Sequence, residues 1–226
     1  MKEFVIISLG GSIVVPEEID VQFLRKFRSL VLNQVKKGRN FIIIVGGGKT
    51  CRKYQAAASQ IAKVTSDDLD WIGIHAIRLN AHLLRTIFRE IAYTIVVRKY
   101  DEKVYTKKPV IIAAAWKPGH SSDYDAVMWA KNLKAREIIN LSDIDYVYDK
   151  DPKYHKGARR FERISWKEFR KIVGSKWISG LNVPFDPIAS GEAQSLGLKV
   201  VVMNGRNLKN LESFLNGRKF KGTIIE

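Results

Sequence analysis

Two glycine loops hold the residues best suited to chemistry. Gly10-Gly11-Ser12 follows directly on the apolar run 4–9, and Gly46-Gly47-Gly48-Lys49-Thr50 follows directly on the apolar run 41–45. Glycine lets a backbone approach a ligand closely and take positive φ, so successive amides can aim at phosphate oxygens, and a helix starting behind the loop adds its positive end. Lys49 and Arg52 stand in the first turn of such a helix. Arg52 can grip a phosphate with two parallel N–H groups, which a lysine ammonium cannot. Neither loop has the Gly-x-Gly-x-x-Gly or Gly-x-x-x-x-Gly-Lys-Ser/Thr spacing, and either alone fits a tight strand-to-helix turn. Two of them at neighbouring strand ends, one followed by Lys and Arg, point to phosphate binding.

Two further loops follow apolar runs. Ala113-Ala-Ala-Trp-Lys-Pro-Gly-His-Ser-Ser-Asp123 offers hydroxyls and amides to a second ligand. Asp123 stands at an expected helix start, where an N-cap carboxylate is the ordinary alternative, and His120 taken alone reads as a loop histidine. Leu141-Ser-Asp-Ile-Asp-Tyr-Val-Tyr-Asp-Lys-Asp-Pro152 places carboxylates and tyrosines after a strand end. That composition suits a nucleotide sugar, a base or a bound Mg²⁺, and equally a polar turn.

The elements that must position these loops alternate. Strand-like runs at 4–9, 41–45, 93–98, 109–113, 137–141 and 199–203 are separated by helix-like stretches at 18–37, 49–63, 70–91, 122–134, 166–173, 186–196 and 207–215. Strands apolar on both faces, joined by helical crossovers, predict an α/β fold with a mostly parallel sheet between helices, whose ligands gather at the carboxyl ends of the strands. The charged stretch 149–163, with Asp151-Pro152 and Gly157, reads as a long surface loop dividing a larger N-terminal part from a smaller C-terminal one.

At 226 residues and 46% hydrophobic content, the chain is long enough to bury one substantial core. No apolar run reaches eighteen residues and the start lacks a signal-peptide pattern, so a cytoplasmic protein without membrane contact is expected. The single Cys51 cannot form an internal disulfide and is given no role. The formal charge of +16 fits either attraction of anionic substrates or a nucleic-acid surface. The basic residues are scattered in short groups without a finger, an RNA-binding aromatic signature or a single basic helix, which speaks against nucleic acid.

In this order, the four loops resemble the amino acid kinase superfamily, and within it the archaeal-type uridylate (UMP) kinases. Ser8-Leu-Gly-Gly-Ser12 is similar to the first nucleotide loop, Gly46 to Tyr54 to the second loop and its helix, and Asp70 to Ala81 to the helix carrying an acceptor-contacting acid. Pro118-Gly-His-Ser-Ser-Asp123 resembles the acceptor loop, Tyr148-Asp-Lys-Asp-Pro152 the ATP loop, and Val200 to Gly205 with Gly222 to Ile225 the closing strands. The resemblance implies a three-layer αβα sandwich forming one domain over 1–226, with an acceptor-binding part at about 1–140 and an ATP-binding part at about 141–226.

It also implies an enzyme that phosphorylates UMP with ATP and Mg²⁺ in pyrimidine nucleotide biosynthesis, with no metal ligand of its own assigned, and a homo-oligomer, either a hexamer built from dimers or a dimer. Gly11, Ser12, Gly48, Arg52, Ser142, Asp143, Tyr148 and Asp151 are implied to meet ATP. Gly47, Asp70, Lys117, Pro118, Gly119, His120, Ser121 and Ser122 are implied to meet UMP, with catalytic parts for Gly11, Arg52 and Asp123. The chain departs from the family at Ala113-Ala114-Ala115, where it has Gly-Gly, at Trp116, where a smaller polar residue is usual, and at Tyr146, where a glycine is usual. Trp116 therefore predicts a reshaped acceptor pocket. A different phosphate acceptor, or a non-catalytic oxyanion-storage or regulatory relative, is the alternative.

Overall fold

A computed structural model describes residues 3–152, 154–176 and 183–226. In chain order its elements are β1 (Phe4–Leu9), α1 (Gly11–Val14), α2 (Val21–Lys36), β2 (Asn40–Val45), α3 (Gly48–Ile61), α4 (Ser66–Ile87), β3 (Val110–Ala113), α5 (Ser122–Leu133) and β4 (Glu137–Ser142). There follow β5 (Val147–Tyr148), β6 (Arg160–Phe161), β7 (Arg163–Ile164), α6 (Trp166–Val173), α7 (Pro187–Ser195), β8 (Lys199–Asn204), α8 (Leu208–Leu215) and β9 (Thr223–Ile225). Among the described residues the main sheet has the order β3-β2-β1-β4-β8-β9-β7. Its first five strands are parallel, β9 runs antiparallel to β8, and β7 runs parallel to β9.

Strand side chains alternate between faces, and the two halves of that alternation feed two separate cores. Ile7, Leu9, Phe41, Ile43, Val45, Val201 and Met203 pack on one face with Phe23, Phe27 and Val31 of α2, Leu84 of α4 and Leu211 of α8. Ile6, Ile42, Ile44, Ile138, Val200 and Val202 pack on the other with Ala126 and Trp129 of α5, Phe169 of α6 and Ala189 of α7. These are the three layers. β4, where the chain passes from 140 to 141, lies at the centre of the sheet, which continues unbroken on both sides of it.

Several expected elements shift for identifiable reasons. α4 starts at Ser66 rather than 70, because Thr65 and Asp68 form a capping box: Asp68 N–H donates to the Thr65 hydroxyl and Thr65 N–H to the Asp68 carboxylate. The expected strand 93–98 is instead an interrupted edge that touches β3 at two isolated bridges, Ala92 to Val110 and Val97 to Ala113, with Ile95 between them turned to solvent. The stretch 149–163 is more than a loop. Arg160–Phe161 pairs with β5 as a small hairpin, and β7 joins the sheet edge beside β9.

Candidate active site

β1 and β2 are parallel neighbours in register, Leu9 opposite Val45, so their glycine loops leave the sheet side by side. The loops touch through bare backbone. A Cβ on Gly11 would lie 2.1 Å from the Gly48 nitrogen and 2.7 Å from the Gly46 carbonyl carbon, and Gly48 itself sits at φ +65°. Only glycine permits both the contact and the conformation. Asn80, buried on α4, pins the second loop by donating to the Gly46 and Gly47 carbonyls at 2.9 and 3.1 Å. Gly11→Ala is expected to lower stability by about 3 kcal/mol or more, because the clash is with backbone and no rotamer relieves it; a denaturant melt checks this, and a change below about 1 kcal/mol would refute the contact.

A polar cluster lies on the opposite face, beneath the first loop. Ser8 and Asn140 are register partners on β1 and β4, and their parity turns both toward α5, where their neighbours Ile6 and Ile138 are core residues. The Ser8 hydroxyl donates to Asp123 Oδ1 at 2.8 Å, and Asn140 Nδ2 donates to the same oxygen at 3.3 Å. The Asp186 amide donates to Asp123 Oδ2 at 3.3 Å. Asp123 follows the Ser121 N-cap of α5 and keeps a partly exposed rim, while its carboxyl is enclosed. Burial, with the Asp186 carboxyl adding to it, pushes its pKa up to about 7 against the pull of the Ser8 hydrogen bond. Burial likewise raises Asp186. Two polar residues set into otherwise apolar strands thus hold a buried acid at the carboxyl end of the sheet.

Between α3, α4 and the start of α5 lies a pocket of about 170 Å³ lined by Gly47, Gly48, Arg52, Asp70, His120, Ser121 and Ser122, together with Cys51, Gln55, Gly73, Ile74, Ile77 and Ala115. Asp70 accepts a hydrogen bond from the Gly119 amide at 2.8 Å, which ties the helix acid to the loop 114–121. Arg52 is exposed and makes no hydrogen bond or ion pair to another described residue. Lys49 is turned elsewhere, paired with Glu17 at 2.9 Å. Ligand pockets commonly measure ~300–1,000 Å³, so this one is smaller than the usual small-molecule site. A hollow of about 580 Å³ lined by Arg39, Lys134 and Arg136 opens at the amino ends of β1 and β4, remote from every glycine loop and on the wrong side of a parallel sheet for ligand binding.

The other expected residues lie around this centre. Ser12, in α1, gives its carbonyl to Arg206, whose other guanidinium nitrogen meets Asp20 at 3.1 Å. Ser142 ends β4 and accepts from the Gly205 amide at 2.8 Å, with Asp143 next in the chain. Tyr148 ends β5, and the Asp151 carbonyl caps the turn at 154–155. The Lys117 ammonium lies 5.1 Å from the Trp116 ring, and Pro118 follows in the same loop. Trp116 stands beside that pocket. Its ring stands edge-on against Tyr100 at 5.0 Å and its carbonyl accepts from Arg78, so among the described residues Ala115, not Trp116, faces the pocket.

The family model described as the amino acid kinase family matches residues 3–204, which take in both glycine loops, Arg52, Asp70, the loop to Ser122, Asp123 and Asp186. The chain belongs to the amino acid kinase family. Within it, the uridylate kinase of Pyrococcus abyssi is 32% identical over 225 residues, covering 98% of this chain and 99% of that one. The uridylate kinase of Thermoplasma volcanium is 32% identical over 229 residues, covering 100% and 99%. The crystal structure of the Archaeoglobus fulgidus uridylate kinase superposes over 100% of both chains with a TM-score of 0.82 at 30% identity.

Some residues of this amino acid kinase site were legible only in hindsight. Gly73, Ile74 and Ile77 follow Asp70 at helical spacing, and Gln55 follows Cys51 by one turn, so the pocket face of α3 and α4 was encoded by i, i+3, i+4, i+7 periodicity. Asp186 and Arg206 reach the site from 63 and 194 residues away, and no local pattern signals that.

Proposed function

We propose that the chain transfers the γ-phosphate of ATP to UMP, giving ADP and UDP, as a cytoplasmic enzyme of pyrimidine nucleotide synthesis. The observation that carries this reading is one pocket in which a glycine loop and Arg52 face Asp70 and the loop 119–122, in a chain whose relatives are named uridylate kinases. Phosphoryl transfer asks a protein chiefly to hold donor and acceptor in line and to stabilise charge on the moving group. Arg52 and the amides of Gly11, Gly47 and Gly48 would do that, with the ATP side running over Ser12, Ser142, Asp143, Tyr148 and Asp151.

Asp70, held by the Gly119 amide, would accept from the acceptor ribose hydroxyls. Gly47 and the loop from Lys117 through Pro118, Gly119, His120 and Ser121 to Ser122 would enclose the rest of the acceptor. No general base is required, because the acceptor phosphate is already an anion. Asp123 fixes the geometry of Ser8 and Asn140 beneath the transferred group. Mg²⁺ fits as a companion of ATP. Among the described residues no group of three or more His, Cys, Asp or Glu could hold a metal, whereas phosphate oxygens and water satisfy this hard cation with few protein ligands. When bound it would neutralise charge on the transferred phosphoryl group. The same reading divides the domain functionally near residue 140, and includes the hexamer of dimers.

The test is ADP release with purified protein, ATP and Mg²⁺ against UMP, CMP, dTMP and isopentenyl phosphate. UMP is expected to turn over best; turnover with isopentenyl phosphate and none with UMP overturns the assignment. Silence across the panel with ATP binding retained favours a non-catalytic relative.

A further inference from the structure

We propose that Asp125 is a positioning residue for His120, and that a proton passes from the Asp125 carboxyl to the His120 imidazole when an anionic acceptor phosphate enters the pocket. This rests on the proposed acceptor site. His120 lines that pocket, and Asp125 stands behind it on α5. Their side chains are only 6% and 2% exposed, and His120 Nε2 lies 3.7 Å from Asp125 Oδ1. Among the described residues, both ring nitrogens and both carboxyl oxygens lack a hydrogen-bond partner. Each such buried polar atom costs stability. A closed pair would relieve two of them, and a ligand would relieve a third.

The surroundings set the charge state. Facing the pair are Asp70 on α4, Arg52 and Cys51 on α3, Lys117 on the same loop, and the phenols of Tyr100 and Tyr124, the latter 4.5 Å edge-on to the imidazole. Burial, then Lys117, lowers the His120 pKa to about 4 against the opposing influence of Asp70. Burial alone raises Asp125 well above the usual carboxylate range. An enclosed carboxyl without a hydrogen-bond partner among the described residues keeps its proton, so the free protein holds a neutral acid beside a neutral imidazole, with one transferable proton between them. A phosphate dianion favours imidazolium, and the donor at hand is the Asp125 O–H. The O–H bond breaks, an Nε2–H bond forms, and the pair stays neutral overall while its positive end meets the acceptor.

The experiment is NMR of histidine-labelled protein at neutral pH, with the His120 signal assigned by His120→Gln. His120 is expected to be neutral in the free protein, protonated with UMP bound, and neutral with uridine, which lacks the phosphate. In Asp125→Asn, which keeps the shape but has no such proton to give, His120 should stay neutral with UMP. Its KM for UMP should rise about tenfold, the effect of one charge-assisted hydrogen bond, with the KM for ATP unchanged. A neutral His120 in the wild-type UMP complex, or the same protonation in Asp125→Asn, overturns the proposal, and Asp125→Ser gives the same readout if Asp125→Asn does not fold. Absence of UMP binding by calorimetry overturns the acceptor reading itself, whereas binding with a neutral His120 overturns this inference alone.

Discussion

Arg52→Ala is expected to reduce phosphate transfer by about a thousandfold while leaving the melting temperature within a degree or two of wild type. Removing one preorganised donor to a developing charge typically costs ~10²–10³ in rate, and Arg52 would supply two such N–H groups together with a full positive charge. It is exposed on α3 and holds no hydrogen bond or ion pair with another described residue, so the fold has little to lose. Arg52→Lys should recover only a small part of the loss, because an ammonium cannot make the bidentate contact. Steady-state kinetics over a range of UMP concentrations at saturating ATP measure this, and an unchanged kcat/KM in Arg52→Ala removes Arg52 from the mechanism.

Asp123→Asn is expected to separate stability from activity in a pH-dependent way. In the folded chain the Asp123 carboxyl is raised to about 7, mainly by burial, whereas an unfolded aspartate titrates near ~3.9. Between these values the native state binds the extra proton. The contribution to stability is therefore fully present below about pH 4 and is lost as pH rises through about 7. Asparagine never ionises, so the difference between the two proteins should swing by about 4 kcal/mol, the variant lying about 2 kcal/mol below the wild type near pH 4 and on the order of 2 kcal/mol above it at pH 8. That allows for the poorer fit of an amide against the Asp186 N–H. Asp125 and Asp186, also raised by burial, remain in both proteins and largely cancel from the difference. At pH 8, where the Asp123 carboxyl is ionised, transfer should fall about a hundredfold or more, because Ser8 and Asn140 lose their charged anchor. Urea melts at both pH values check the claim; a constant difference between wild type and variant would contradict it.

How far the sequence announced all this follows from the range of the interactions. β1, β2, β4 and β8 were legible because strands buried on both faces are short unbroken runs of Val and Ile. The pocket ends of α3 and α5 were legible because glycines and Ser121-Ser122 mark where those helices start. β7 escaped because two residues, Arg163 and Ile164, carry no periodicity and become a strand only when β9 returns beside them. The direction of the Trp116 ring was hidden for a related reason. A large side chain in a binding loop suggests contact with the ligand, but its direction is set by Tyr100 and by Arg78 gripping the backbone, both remote in sequence. The pairing of Ser8 with Asn140 depended on strand register, 132 positions apart, and the isolation of His120 with Asp125 on burial that no motif encodes.

The proposed transfer from ATP to UMP takes place at the pocket shared by Gly47, Arg52 and Asp70. Its most direct measurement follows labelled γ-phosphate from ATP in the presence of purified protein, Mg²⁺ and UMP. Label appearing in UDP, and disappearing from it in Arg52→Ala, is the predicted result. Intact ATP binding with no label in UDP at any UMP concentration would contradict it.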